Sequence, residues 1–269
     1  MKKLDHLEDI VRNYDQFIID IWGVIHNGLL PFQGAMKAIE ELHKNKKNYC
    51  FLSNAPRPVK DVKEFLMKKM NMKEKYLDNI VTSGEAAIIS IKNFNYGRYF
   101  FHLGPERDNS IYEGLENFKS ELIKADYILC TGLYDHAMSD LSFYEKILKD
   151  SVNKKMICTN PDLIVDRGNA QEYCAGTIAK IFEKMGGKVI YFGKPYKEIY
   201  SLILNKNDKA LIIGDNLRTD IKGANTINQD SLFISDGVHK KEIENAANIE
   251  TLLNKYGVQT NFIQKRLNW

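Results

Sequence analysis

Short apolar runs that alternate with helical patterns are the feature that most constrains the fold of this chain. The runs lie at 17–19, 49–52, 80–81, 99–103, 127–130, 156–158, 189–192, 210–213 and 232–234. The segments around them predict helices at 4–14, 35–45, after Pro58, at 85–92, 174–185 and 217–226, and in the tail from about 241. Because parallel strands need long crossover connections, usually helices, this alternation predicts an α/β fold with a parallel sheet.

Length and composition narrow the classes of protein to consider. The 269 residues suffice for one large or two modest domains, and the segment 95–185 has the size of a small α/β domain. Lysine is spread evenly and the net charge is +3, so no basic stripe indicates nucleic acid. No run approaches ~18 apolar residues, which predicts no membrane contact. The start lacks a signal peptide and the four cysteines form no CxxC pair, which favours a reduced, cytoplasmic protein.

Polar side chains follow several of the predicted strands at the point where each strand ends. Asp20 follows the first run, Ser53–Asn54 end the second, and Asp215 with Asp220 follow the run at 210–213. Lys194 lies on a Gly-Lys-Pro turn after another run. The carboxyl ends of parallel strands meet at one edge of a sheet, so these side chains are expected to converge. Clustered carboxylates repel one another unless a cation is present, and hard oxygen ligands of this kind suit Mg²⁺.

Six motifs, in this order, give the chain a resemblance to a known family. They are Asp20–Val24, Leu52–Asn54, Thr82–Ala87, Thr159–Asp162, Gly193–Pro195 and Gly214–Asp220. The set resembles the haloacid dehalogenase (HAD) superfamily of aspartate-nucleophile phosphatases, and the third and fourth motifs are similar to its class IIA, the NagD-like phosphatases. Each motif alone is a weak signal, but the ordered set covers nearly the whole chain.

The resemblance implies a nucleophile and a metal site. Asp20 would attack phosphorus and form an aspartyl phosphate. Mg²⁺ would be bound by Asp20, by Asp215 and by the backbone carbonyl of Trp22. The substrate would be a small phosphorylated metabolite, hydrolysed as a phosphomonoester.

The resemblance also assigns roles to the remaining polar residues of the motifs. Ser53 and the backbone amide of Asn54 would hold the phosphoryl oxygens. Lys194 would offset the charge of the phosphate and of the nucleophile. Asp220 and Asn216 would support this arrangement, with Asp220 next to the lysine or to a metal-bound water.

Three segments of the chain follow from the same resemblance. Residues 1–82 would form the first part of a Rossmann-like HAD core, 83–185 a large inserted α/β cap, and 186–269 the second part of the core. The cap would close over the site and supply substrate contacts. Class relatives often dimerise through the cap, so a homodimer is a possible assembly.

Trp22 departs from the family pattern. Most family phosphatases carry a second aspartate two residues after the nucleophile, as general acid and base, and a tryptophan cannot transfer protons in that role. The departure leaves two alternatives open: a catalytically weakened protein that binds or senses a phosphorylated ligand, and a dehalogenase-like hydrolase, since dehalogenases also place an aromatic residue there. His26 is a candidate substitute acid, although a histidine beside a turn is more often a solvated loop residue. Asn160–Asp162 is interpreted first as a structural turn.

Overall fold

The predicted strands form two separate parallel sheets in a computed structural model, which describes residues 1–168, 170–205 and 207–269. The strands are β1 Lys2–Lys3, β2 Gln16–Ile19, β3 Asn48–Ser53, β4 Ile80–Thr82, β5 Phe100–Leu103, β6 Tyr127–Cys130, β7 Lys155–Cys158, β8 Ile164–Arg167, β9 Ala170–Tyr173, β10 Lys188–Tyr191, β11 Ala210–Gly214, β12 Asp230–Ile234 and β13 Phe262–Gln264. The α-helices are α1 Gln33–Lys44, α2 Val59–Lys68, α3 Ser83–Lys92, α4 Leu141–Leu148, α5 Ala175–Lys184, α6 Lys197–Tyr200, α7 Lys222–Thr226, α8 Lys240–Asn245 and α9 Ile249–Tyr256.

The larger sheet has the order β1-β13-β12-β11-β2-β3-β4, and its paired strands are parallel. The side chains of successive residues in β2 point to opposite faces of this sheet, as in any β-strand. Phe17 and Ile19 pack with Leu42 of α1 on one face, whereas Ile18 packs with Ile199 of α6 on the other. Because both faces are covered, the strands read as continuous apolar runs. The predicted α/β fold with a Rossmann-like core is confirmed.

The smaller parallel sheet has the order β10-β7-β6-β5 and makes up the second α/β unit. Ile88 and Ile91 of α3 pack against Phe100 and Tyr127 of this sheet. Strand β10 pairs with β7, although it lies within the segment 186–269 that was assigned to the core. The predicted boundary at 185 is therefore too early, because the strand after the Gly186-Gly187 break belongs to the cap sheet.

Two parts of the chain differ from the predicted elements. Residues 4–14 contain two short 3₁₀ turns, Leu7–Asp9 and Val11–Asn13, in place of the predicted helix. The tail forms α8 and α9 as predicted but then adds β13, which pairs with both β12 and β1. Among the described residues, none of the helices combines the length and the apolar character needed to cross a membrane.

The chain passes between the two sheets after β4 and again after β10. These two crossings lie side by side, since the Oγ of Ser83 donates a hydrogen bond to the backbone carbonyl of Phe192. An antiparallel hairpin of β8 and β9 extends from the smaller sheet's unit. Between the units is a cleft of about 720 Å³ that residues of both line.

Candidate active site

Three neighbouring strands of the larger sheet bring their carboxyl ends to the floor of the cleft. Strand β2 pairs with β11 on one side and β3 on the other, so Asp20 lies between Asp215 and Ser53. The backbone amide of Asp20 donates to Ile213 O at 2.8 Å, which fixes the start of the loop. Gly23 has φ +85°, and a Cβ there would lie 2.1 Å from Asp215 Oδ2, so only glycine allows this approach. Asp20, Asp215 and Ser53 therefore lie next to one another, as the positions of the strand ends predicted.

Lys194 is buried beside the first of these carboxylates. Its Nζ donates to Asp20 Oδ1 at 2.6 Å, to Asp220 Oδ1 at 2.7 Å and to Leu52 O at 3.0 Å. Burial lowers the pKa of Lys194, but the two carboxylates outweigh it and hold that pKa above its usual value. The ammonium group therefore stays charged and provides a fixed positive charge next to Asp20.

Asn54 holds this lysine in place from the neighbouring strand end. Its Oδ1 accepts the backbone amide of Lys194 at 2.8 Å, and its Nδ2 donates to the carbonyl of Lys194 at 3.2 Å. The side chain of Asn54 is thus committed to positioning. The hydroxyl of Ser53 accepts the amide of Ala55 at 3.1 Å, which leaves its own proton able to donate into the cleft.

A cluster of carboxylates surrounds the lysine. Oxygens of Asp20, Asp215 and Asp220 lie within 4.8 Å of one another. Burial, followed by repulsion from Asp220, raises the pKa of Asp20 to about 8 despite the nearby lysine. Burial, followed by repulsion from Asp20, raises the pKa of Asp215 well above its usual value. One ammonium group does not balance this much negative charge, so the donor set fits a divalent cation.

The carboxylates of the cluster are not equivalent. Asp220 is already bound to Lys194, and its Oδ2 accepts the backbone amide of Asn216 at 3.1 Å. Through these bonds Asp220 supports the loop that follows β11 and holds Lys194 in place. Within the part of the chain that the structure describes, Asp215 accepts one hydrogen bond, from the amide of Val238 at 2.8 Å on Oδ2. Asp20 and Asp215 are therefore the carboxylates best placed to bind a cation, while ligation by the backbone carbonyl of Trp22 stays a prediction.

Asp162 reaches this site from the second unit, and the sequence interpretation missed it. Its Oδ1 accepts hydrogen bonds from Asn216 Nδ2 and from Thr219 Oγ1, each at 3.1 Å. The amide of Asp162 donates to Asn160 Oδ1 at 3.1 Å, so the interpretation as a turn is correct. It is incomplete, because the side chain of Asp162 also contacts the core site. A signal was present: the motif follows β7, and the strand-end rule applied to the core applies to the smaller sheet as well.

His26 is neither solvated nor a suitable acid. Its side chain is 1% exposed, and burial lowers its pKa to about 4, so the ring is neutral at physiological pH. Its Nδ1 accepts the backbone amide of Gly28 at 2.9 Å. The ring packs edge-on against Trp22 and Phe65, with centroid distances of 5.0 and 5.4 Å. The expectation of a solvated loop residue is wrong, because the loop 21–32 folds back on itself and encloses the ring.

The fold and the site together define a capped α/β enzyme, whose site lies at the carboxyl end of a parallel sheet. The family model of haloacid dehalogenase-like hydrolases matches residues 17–117, and a second model, described as HAD-hydrolase-like, matches 191–258. A solved haloacid dehalogenase-like hydrolase from Brucella suis 1330 is 32% identical, with a TM-score of 0.86 over 98% of this chain and 99% of that one. The chain belongs to the haloacid dehalogenase-like hydrolases, and the predicted class IIA phosphatase family is confirmed.

Two curated relatives carry names of phosphatases. An acid sugar phosphatase of Staphylococcus saprophyticus is 25% identical over 86% of this chain and 90% of that enzyme. The ribonucleotide monophosphatase NagD of Escherichia coli K12 is 34% identical, over 31% of this chain and 34% of that enzyme. The similarity therefore extends over most of the chain in one relative and over a shorter stretch in the other.

Proposed function

We propose that this protein is a Mg²⁺-dependent phosphatase that hydrolyses a small phosphorylated metabolite through an aspartyl phosphate on Asp20. The observation that carries the proposal is the buried carboxylate of Asp20, 2.6 Å from Lys194 Nζ and beside Asp215, at the floor of a cleft between two units. The names of the sugar phosphatase and nucleotide phosphatase relatives support a phosphomonoester substrate.

The residues of the cleft divide the chemistry among themselves. An oxygen of Asp20 attacks phosphorus, the bond to the leaving oxygen breaks, and water then hydrolyses the acyl phosphate to release inorganic phosphate. Lys194 partly offsets the effect of burial and of Asp220 on the pKa of Asp20, and it attracts the incoming dianion. The Ser53 hydroxyl and the backbone amide of Asn54 donate to phosphoryl oxygens. When bound by Asp20 and Asp215, a divalent cation would offset the charge of the phosphoryl group.

Trp22 makes the reaction sensitive to its leaving group. An indole cannot protonate the departing oxygen, and His26 is buried and neutral, so good leaving groups are favoured over alkoxides. The same residue is the observation that favours a second candidate, a binding protein for a phosphorylated ligand with little turnover. A dehalogenase is less well supported, because this site retains the carboxylates of Asp215 and Asp220 around Lys194.

Mg²⁺-dependent release of phosphate from a panel of phosphorylated metabolites and aryl phosphates tests the proposal. Asp20→Asn should lower the turnover by more than ~100-fold, because an amide is not a competent nucleophile. Asp78→Asn is the matched control, since Asp78 is an exposed aspartate away from the cleft. Activity of Asp20→Asn above about a hundredth of the wild-type value would overturn the assignment. Binding of phosphorylated ligands without any release of phosphate would favour the second candidate.

The cysteines bear on where such an enzyme works. Cys50, Cys130, Cys158 and Cys174 are all buried as free thiols. Buried unpaired thiols are usual in a reducing compartment, which supports the proposed cytoplasmic location.

A further inference from the structure

The hairpin of β8 and β9 contacts the loop that follows the nucleophile. The indole Nε1 of Trp22 donates to the backbone carbonyl of Asp166 at 2.7 Å. The backbone amide of Gly168 donates to the carbonyl of Asn27 at 3.0 Å. Two hydrogen bonds thus join a strand pair of the cap to the core loop, at the side of the cleft that Trp22 lines.

The core loop is built to present the indole in this orientation. Gly28 has φ +84°, and a Cβ there would lie 2.4 Å from Trp22 Cζ2, so the backbone runs directly against the ring. The ring of His26 packs edge-on against the indole, with a centroid distance of 5.0 Å. With Gly28 and His26 packed against it, the indole donates its N–H to the hairpin.

The hairpin contributes main-chain groups to both of these bonds. Its side chains are held within the hairpin instead: Gln171 donates to Asp166 Oδ1 at 3.1 Å, and Arg167 lies 3.5 Å from Glu172. Asp166, Arg167, Glu172 and Tyr173 all line the cleft. Because the docking bonds use the backbone of the hairpin, none of these side chains is needed for docking, and Trp22 is the side chain on which docking depends.

We propose that Trp22 is a positioning residue that docks the β8–β9 hairpin over the leaving-group side of the cleft. The position that supplies an acid in related phosphatases here supplies the contact that closes the cap on the substrate. The effect on turnover rests on the proposed phosphatase function, whereas docking itself does not. The hairpin then contributes to substrate affinity, because its charged side chains reach the cleft only when it is docked.

The docking is tested in a Trp269→Phe background, in which Trp22 is the remaining tryptophan of the two in the chain. In that background Trp22 is replaced by phenylalanine or, through biosynthetic labelling, by benzothienylalanine, which has the shape of tryptophan without the N–H. The amide of Gly168 is the reporter, because its bond to Asn27 joins the hairpin to the core loop. The hydrogen exchange of this amide should become about 2- to 12-fold faster. This factor corresponds to the net free energy that one hydrogen bond contributes.

Two further readouts separate docking from the proposed function. KM should rise by about the same 2- to 12-fold factor while kcat changes less, because a docking bond acts mainly on substrate binding. The emission of Trp22 in the Trp269→Phe protein should shift when a phosphorylated ligand binds. Unchanged exchange of the Gly168 amide in the benzothienylalanine protein would overturn the proposal. Exchange and emission retain their meaning if the protein releases no phosphate, so failure of the phosphatase proposal is recognised separately.

Discussion

Raising the pH from 6 to 8 is expected to tighten the binding of Mg²⁺ by ~50-fold, because the cation must displace a proton from Asp20. With its pKa raised to about 8, Asp20 is ~1% ionised at pH 6 and about half ionised at pH 8 in the metal-free protein. The ratio of these fractions gives the factor, and the raised pKa of Asp215 can only add to it.

Calorimetric titration with Mg²⁺ at pH 6, 7 and 8 measures this directly. Repeating each titration in two buffers of different ionisation enthalpy counts the protons released. Asp20→Asn should release about one proton fewer per cation at pH 6 than the wild type. Asp215→Ala should weaken binding at every pH, because it removes a ligand outright. An Mg²⁺ affinity that changes by less than about fivefold between pH 6 and 8 would refute the linkage.

Whereas the ionisation of Asp20 favours the binding of Mg²⁺, it lowers the stability of the metal-free protein. The pKa of Asp20 is raised on folding from 3.8 to about 8, so in this interval the folded state holds a proton that the unfolded state has lost. The free energy of unfolding in chelator should therefore fall as the pH rises from about 4 to about 8, and saturating Mg²⁺ should remove most of this decline. Urea unfolding with and without the cation provides the measurement.

Two further predictions concern the residues around the nucleophile. Trp22→Asp should raise the turnover of alkyl phosphates relative to aryl phosphates by up to ~10²-fold, the lower range of general acid catalysis, and a leaving-group series on both proteins measures it. Equal kcat/KM of the wild type for alkyl and aryl phosphates would contradict the reasoning. Lys194→Met should lower the free energy of unfolding in chelator at pH 7.5 by ~3–5 kcal/mol, since it leaves buried carboxylates without a partner. The loss should grow above pH 8, where Asp20 is mostly ionised, and equal stability of both proteins at pH 7.5 would show that the pairing contributes nothing.

The core of the site could be predicted because one rule governs it. A strand buried on both faces is recognisable as an apolar run, and polar residues at its carboxyl end must face the sheet edge where parallel strands deliver their ligands. Asp20, Ser53 and Asp215 all follow from this rule. The particular contacts between the site residues, such as the hydrogen bonds of the Asn54 side chain with the Lys194 backbone, could not be predicted, since no local pattern connects residues so distant in the chain.

Elements that lack a strong pattern were the ones missed. Strands β8 and β9 are half exposed and mostly polar, so their apolar content does not distinguish them from a loop. Strands β1 and β13 have two and three residues, too few to show a period, and tertiary pairing alone defines them. The residues 4–14 have helical spacing but bury Leu7 and Val11 in two separate turns, because packing against the sheet outweighs the weak propensity of so short a segment.

The side-by-side crossings at Ser83 and Phe192 have a consequence for how such enzymes can diversify. Everything from α3 to β10 leaves the larger sheet and returns to it at nearly the same point, so its presence does not alter the order of the core strands. A segment attached in this way can be lengthened, replaced or exchanged between relatives while the nucleophile and its lysine keep their positions. The chemistry and the choice of substrate are then inherited as separate modules, and a chimaera that joins this core to another cap at these two residues should retain the carboxylate cluster.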